Sequence, residues 1–123
     1  MSAPTIRGIR GATTASSNTS GAIIEATAEL LTALQSANAF ALDDVVSAVF
    51  TSSPDLTADY PAHAARRLGW TDVPLLGATE VNVPGGLPRC IRVLLHVVTA
   101  RAPRELKHIY LRKAASLRPD RAS

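Results

Sequence analysis

Few residues of this chain combine a reactive side chain with an unusual setting. Arg7 and Arg10 lie in Ile6-Arg7-Gly8-Ile9-Arg10-Gly11-Ala12-Thr13-Thr14. Glu80 precedes a Gly85-Gly86 turn, and Arg92 follows that turn in Cys90-Ile91-Arg92-Val93-Leu94-Leu95. Tyr110 and Arg118 lie in His108-Ile109-Tyr110-Leu111-Arg112-Lys113-Ala114-Ala115-Ser116-Leu117-Arg118-Pro119-Asp120. Arg10, Arg92 and Tyr110 fall in or beside stretches that read as strands. A cation flanked by Ile, Val and Leu is costly unless it faces solvent or an anionic partner. Convergence of these residues would make a pocket for a small dianion.

Other chemistries lack their signatures. There is no G-x-x-x-x-G-K-[ST] phosphate loop and no G-x-G-x-x-G fingerprint. His63, His96 and His108 do not fall at metal-ligand spacings, and no cysteine pair supports them. Cys90, the only cysteine, sits in an apolar run and reads as a small hydrophobe rather than a nucleophile. What remains is fixed positive charge and hydrogen-bond donors. A pericyclic rearrangement of a dicarboxylate can run on those alone, with the protein binding the reactive conformer and stabilising charge separation. No cofactor or metal is expected.

Composition sets the frame. The chain has 123 residues, 46% hydrophobic and 19% charged, which suggests one domain over 1–123 with a real core. A domain this small gains from oligomerisation. The formal charge is +3, and seven of the thirteen Lys and Arg lie from Arg101 onward. Tyr110 is the only aromatic there, so a nucleic-acid footprint is not expected and a small anion fits the charge. No signal-peptide or membrane-spanning run is visible, and a single cysteine suits a reducing compartment, so the expected location is the cytoplasm.

The elements that must position these side chains follow from periodicity. Residues 5–13 read as a strand, with Gly8 and Gly11 permitting close approach to its backbone. Thr19 or Ser20 can cap a helix carrying Ile23, Thr27, Leu30 and Leu34 at helical spacing, with Ile24 and Leu31 beside them, and ending near Asn38. Glu25 and Glu29 point away from that stripe. Residues 45–52 read as a buried strand. Asp59 followed by Pro61 predicts a helix start, and 62–68 a short helix. Strands are expected at 73–76, 90–99 and 107–111, with a helical turn at 103–105 and a mobile tail from 117 onward. The resulting order, β-α-β-α-β-β-β, predicts an α+β mixed sheet with helices on one face.

The motifs together resemble one family. Ile6-Arg7-Gly8-Ile9-Arg10-Gly11-Ala12-Thr13-Thr14 is similar to the opening of the AroH-class chorismate mutases. The similarity continues through Ser53-Pro54-Asp55-Leu56, Tyr60-Pro61-Ala62, Gly69-Trp70, Gly85-Gly86-Leu87, Cys90-Ile91-Arg92-Val93 and Leu117-Arg118-Pro119-Asp120. The resemblance implies a Claisen rearrangement of chorismate to prephenate, on a five-stranded sheet packed against one long and one short helix. It also implies a homotrimeric pseudo-barrel with active sites between neighbouring subunits, and neither nucleic acid nor membrane as partner.

Carried over by position, the resemblance makes Arg92 the cation at the ether oxygen and Glu80 the acceptor of the ring hydroxyl. Arg10 and Tyr110 would hold carboxylates. Arg7 would lie on the opposite strand face and be structural. Tyr60 and Ala62 would form an apolar wall contributed by the neighbouring subunit. Arg66 and Arg118 would stand at the entrance, and Leu76, Gly77 and Leu117 would complete the substrate-binding set. The chain departs from the family at His63, where a Lys is common, and at Gly77, where some members carry Cys. The alternative reading is a non-enzymatic trimeric protein that keeps the anion pocket to bind an aromatic-pathway metabolite. Retention of both Arg92 and Glu80 favours the enzyme.

Overall fold

Period-two alternation governs the first strand and decides the architecture. Ile9 and Gly11 turn to one face, where helix side chains cover them, while Arg10 and Ala12 turn to the other. The computed structural model describes residues 3–117. In order, the elements are β1 (Thr5–Thr14), α1 (Ser20–Asn38), β2 (Val45–Ser52), α2 (Ala62–Arg67), β3 (Leu75–Thr79), β4 (Cys90–Thr99) and β5 (Ile109–Tyr110). The five strands form one mixed sheet in the order β3-β2-β4-β1-β5. β4 runs antiparallel to both β1 and β2, whereas β5 pairs parallel with β1 and β3 parallel with β2.

The core lies between α1, α2 and one sheet face. Leu30, Leu31 and Leu34 of α1 and Ala65 of α2 pack with Ile9, Phe50, Val93, Leu95, Val97 and Trp70. Each fully buried Leu or Ile removes enough apolar area from water to contribute roughly 2 kcal/mol. Thr19 caps α1, its Oγ1 accepting from Ala22 N at 3.2 Å. The helix stops where Ala39 takes a left-handed conformation with φ of 52°. Asn38 then ties that end to the last crossing, donating to Lys107 O at 2.9 Å and accepting from Lys107 N at 2.8 Å.

Three expectations are corrected. The third strand is Leu75–Thr79, not 73–76, because pairing with Ala48–Ser52 of β2 overrides the weak strand preference of Gly77 and Ala78. The last strand is only Ile109–Tyr110, since His108 Nδ1 instead of a ladder carbonyl meets the Arg10 N–H, at 3.0 Å. Asp59 does not cap α2. Its carboxylate accepts from Ser20 Oγ at 2.5 Å, Tyr60 N at 2.7 Å and His63 Nδ1 at 2.6 Å. Led by the Ser20 and Tyr60 hydrogen bonds, these contacts hold the Asp59 carboxyl below its ordinary value. Among the described residues no helix is long and apolar enough to cross a membrane.

Candidate active site

One row of side chains crosses all five strands on the face that α1 leaves uncovered. Its members are Tyr110 on β5, Ala12 on β1, Arg92 on β4, Thr51 on β2 and Ala78 on β3, each directly opposite the next. Neighbours in such a row stand about 5 Å apart at Cβ. Ala12 is the small residue between Tyr110 and Arg92, so the two larger side chains flank a gap instead of filling it. Arg10 and Leu94 form the adjacent pair one step along the strands.

The result is a cavity of about 400 Å³ whose lining includes Arg10, Ala12, Thr51, Glu80, Arg92, Tyr110 and Leu117. Arg10, Glu80, Arg92, Tyr110 and Leu117, singled out above by sequence position, therefore share one concavity. Glu80 follows β3, with its backbone fixed by Glu80 N donating to Ser52 O at 2.9 Å. Its Oε2 accepts from Thr51 Oγ1 at 2.5 Å and lies 3.5 Å from Arg92 Nε. Arg92 is half exposed, so this ion pair contributes little to stability and its cation remains accessible. Tyr110 is buried against Ala12 and Ala114, with Leu87 and Leu117 packed on them. The approach to Leu117 is set by Arg112, which reaches Glu29 at 3.3 Å and Thr14 O at 3.1 Å.

A second set of contacts fixes the start of β4. Ser53 Oγ donates to Asp55 Oδ1 at 2.5 Å and accepts from Cys90 N at 2.9 Å, while Arg89 N donates to Asp55 Oδ2 at 2.9 Å. Arg89 has φ of 51°, a strained conformation that this clasp holds in place immediately before β4 and three residues before Arg92. The Ser53 hydrogen bond, then the Arg89 N–H acting against burial, keep the Asp55 carboxyl below its ordinary value. Burial pushes the Cys90 thiol up, which disfavours the thiolate and suits a structural role.

Other candidates lie elsewhere. Tyr60, Gly77 and Ala78 line a separate cavity with Phe50, Asp59 and Thr79. Gly77 pairs with Phe50, so it sits on the sheet face opposite Arg92. Tyr60 is 70% exposed. Ala62, His63 and Arg66 are on α2, also on that far side, with His63 held by Asp59 and stacked edge-on to Tyr60. Leu76 shares Arg92's face but stands exposed on the edge strand beyond Val49. Arg7 pairs with Val97 on the face opposite Arg10. Arg118 lies outside the described residues. Sequence reasoning missed Thr51 and Asp55 as contacts of this region. The one signal for Thr51 is a hydroxyl in an otherwise apolar strand run, Ala48-Val49-Phe50-Thr51. Among the described residues no group of three or more His, Cys, Asp and Glu could hold a metal ion.

Comparison with known proteins points the same way. The family described as chorismate mutase type I matches residues 6–121. The chain is 47% identical to the chorismate mutase AroH of Thermus thermophilus over 116 residues, 94% of this chain and 95% of that protein. It is 43% identical to the chorismate mutase AroH of Bacillus subtilis (strain 168), covering 94% of this chain and 91% of that protein. Among solved structures, a chorismate mutase from Clostridium thermocellum superposes with a TM-score of 0.88 at 44% identity, covering 89% of this chain and 98% of that one.

Proposed function

The chain belongs to the type I, AroH-class chorismate mutases, isomerases that convert chorismate to prephenate, and from that premise we propose how its residues carry the reaction. The observation that carries the reading is the clustering of Arg10, Glu80, Arg92 and Tyr110 around one cavity of about 400 Å³. Chorismate is a dicarboxylate, and the planar Arg10 guanidinium suits bidentate carboxylate binding, with the Tyr110 hydroxyl as a second donor. Glu80 accepts from the ring hydroxyl. These contacts select the folded conformer in which the two carbons to be joined lie close. As the C–O bond breaks and the C–C bond forms, negative charge grows on the ether oxygen, and Arg92 stabilises it. Atoms are conserved and no proton or electron leaves the substrate, so the side chains need only bind and polarise.

The site is completed by a neighbouring copy in a homotrimer. Two features support this. Ile6, Leu76, Leu94 and Val98 are exposed on the sheet face without helices, an apolar surface that further copies would cover. Tyr60, Ala62, His63, Arg66 and Gly77 lie on the other side of the sheet from Arg92, so one chain carries two half-sites facing in opposite directions. A head-to-tail ring brings one half-site of each copy onto the other half of its neighbour, and closes with three copies. The direct test is loss of chorismate absorbance with purified protein, with prephenate identified as product. Absence of turnover under conditions where the protein is folded would favour the metabolite-binding alternative.

A further inference from the structure

We infer that Thr51 is a positioning residue for this reaction, acting through Glu80; the inference rests on the reading of Glu80 as the hydroxyl acceptor. Thr51 occupies the row position directly opposite Arg92, and its hydroxyl donates to Glu80 Oε2 at 2.5 Å, in the range of a charge-assisted bond. Arg92 Nε approaches the same oxygen at 3.5 Å. Among the described residues both contacts of the carboxylate therefore fall on Oε2, which leaves Oε1 for a substrate hydroxyl.

The hydroxyl also solves an electrostatic problem. A carboxylate beside an arginine tends toward the bidentate fork, which satisfies the cation and spends it. Thr51 competes for the carboxylate and holds Glu80 in a single long contact with Nε. Arg92 thereby keeps its charge for the ether oxygen, and Glu80 keeps its orientation. The backbone of Glu80 is fixed separately through Ser52 O, so loss of the Thr51 hydroxyl frees the carboxylate without dislodging the strand.

The test is a double-mutant cycle in the full chain, with kcat and KM measured for Thr51→Val, Thr51→Ser, Glu80→Ala and Thr51→Val/Glu80→Ala, and thermal melts as the folding control. Thr51→Val keeps shape and loses only the donor, and kcat/KM falls by about tenfold, the scale of one hydrogen bond to a charged group. Thr51→Ser restores the donor and returns kcat/KM to within about threefold of wild type. In the Glu80→Ala background, Thr51→Val adds nothing, because its effect passes through the missing carboxylate. Multiplying effects, or a Thr51→Val enzyme equal to wild type beside an impaired Glu80→Ala, would overturn the role of Thr51 and leave that of Glu80 standing. A fully active Glu80→Ala enzyme would overturn both.

Discussion

Gly11 lies directly beneath Leu34: a β-carbon built on Gly11 would come within 2.8 Å of Leu34 Cδ1, and within 3.0 Å of Leu30 Cδ1. Both leucines are fully buried, so neither can swing aside at little cost. The close approach seats α1 on β1 one residue away from Arg10. Gly11→Ala forces α1 off the sheet and destabilises the chain by about 1–3 kcal/mol, the usual cost of overpacking a tight core. Denaturant melts at constant m-value measure it. A variant as stable as wild type would show that the helix–sheet contact is looser than this geometry.

The proposed homotrimer is checked by light scattering, with a mass near three chains as the expected result. Mixing two inactive variants sharpens the test. An Arg92→Ala chain retains an intact α2 half-site, and a chain altered at Arg66 retains an intact Arg92 half-site. Mixed rings contain some fully intact sites, so mixing with subunit exchange recovers activity that neither variant has alone. A stable monomer with full activity would sink the shared site.

The Asp55 clasp gives a pH prediction whose sign is set by its lowered carboxyl pKa. A carboxyl held below its unfolded value of 3.8 contributes stability that is fully present above that value. The contribution is lost as pH falls through the lower folded value. Asp55→Asn therefore melts below wild type at neutral pH, and the gap narrows as pH falls below the ordinary carboxyl value of 3.8 and the wild-type carboxylate protonates. A gap that widens in acid would mean that Asp55 is stabilised in its protonated form. The same variant loosens Arg89 and the start of β4, so it also lowers kcat/KM.

Much of this arrangement is legible in sequence, and the illegible part has a physical cause. The α1 stripe of Ile23, Thr27, Leu30 and Leu34 is local information, repeated every turn, and the helix forms where that stripe runs. β3 drifts by two residues because its strand character comes from pairing with β2, not from Leu75-Leu76-Gly77-Ala78-Thr79 itself. The family resemblance picks out Arg10, Glu80, Arg92 and Tyr110, but residue type alone leaves Arg92 reading equally well as a surface strand arginine. Thr51 meets Glu80 across 29 residues, and His108 meets Arg10 across 98. Neither contact has a spacing rule, because it depends on which strands become neighbours in the sheet. Gly8 also reads as a close-approach position, yet a β-carbon there would meet Leu94 at an ordinary 3.5 Å. Of these two glycines, Gly11 alone carries that constraint.

Activity is expected to survive exhaustive chelation. The proposed chemistry assigns every role to Arg, Glu and Tyr side chains, and bond breaking and making balance within the substrate. The measurement is chorismate turnover after dialysis against EDTA, beside an untreated control. Loss of activity that one specific metal restores would count against this mechanism.

The proposed mechanism turns on Arg92. Conformer selection is shared among several contacts, but charge growing on the ether oxygen calls for one well-placed cation. Removing a single preorganised donor from such a site costs roughly 10²–10³ in kcat, and a full charge costs more. Arg92→Ala therefore nearly abolishes turnover. KM changes less, because the charge Arg92 meets is larger in the transition state than in the ground state. Arg92→Lys restores charge without the planar fork and recovers only part of the rate. Arg92 is half exposed and its ion pair with Glu80 is weak, so neither variant unfolds the chain, which circular dichroism verifies. Were Arg92→Ala to keep kcat within about threefold of wild type, a difference of under about 1 kcal/mol, the ether oxygen would have to be met by some other group.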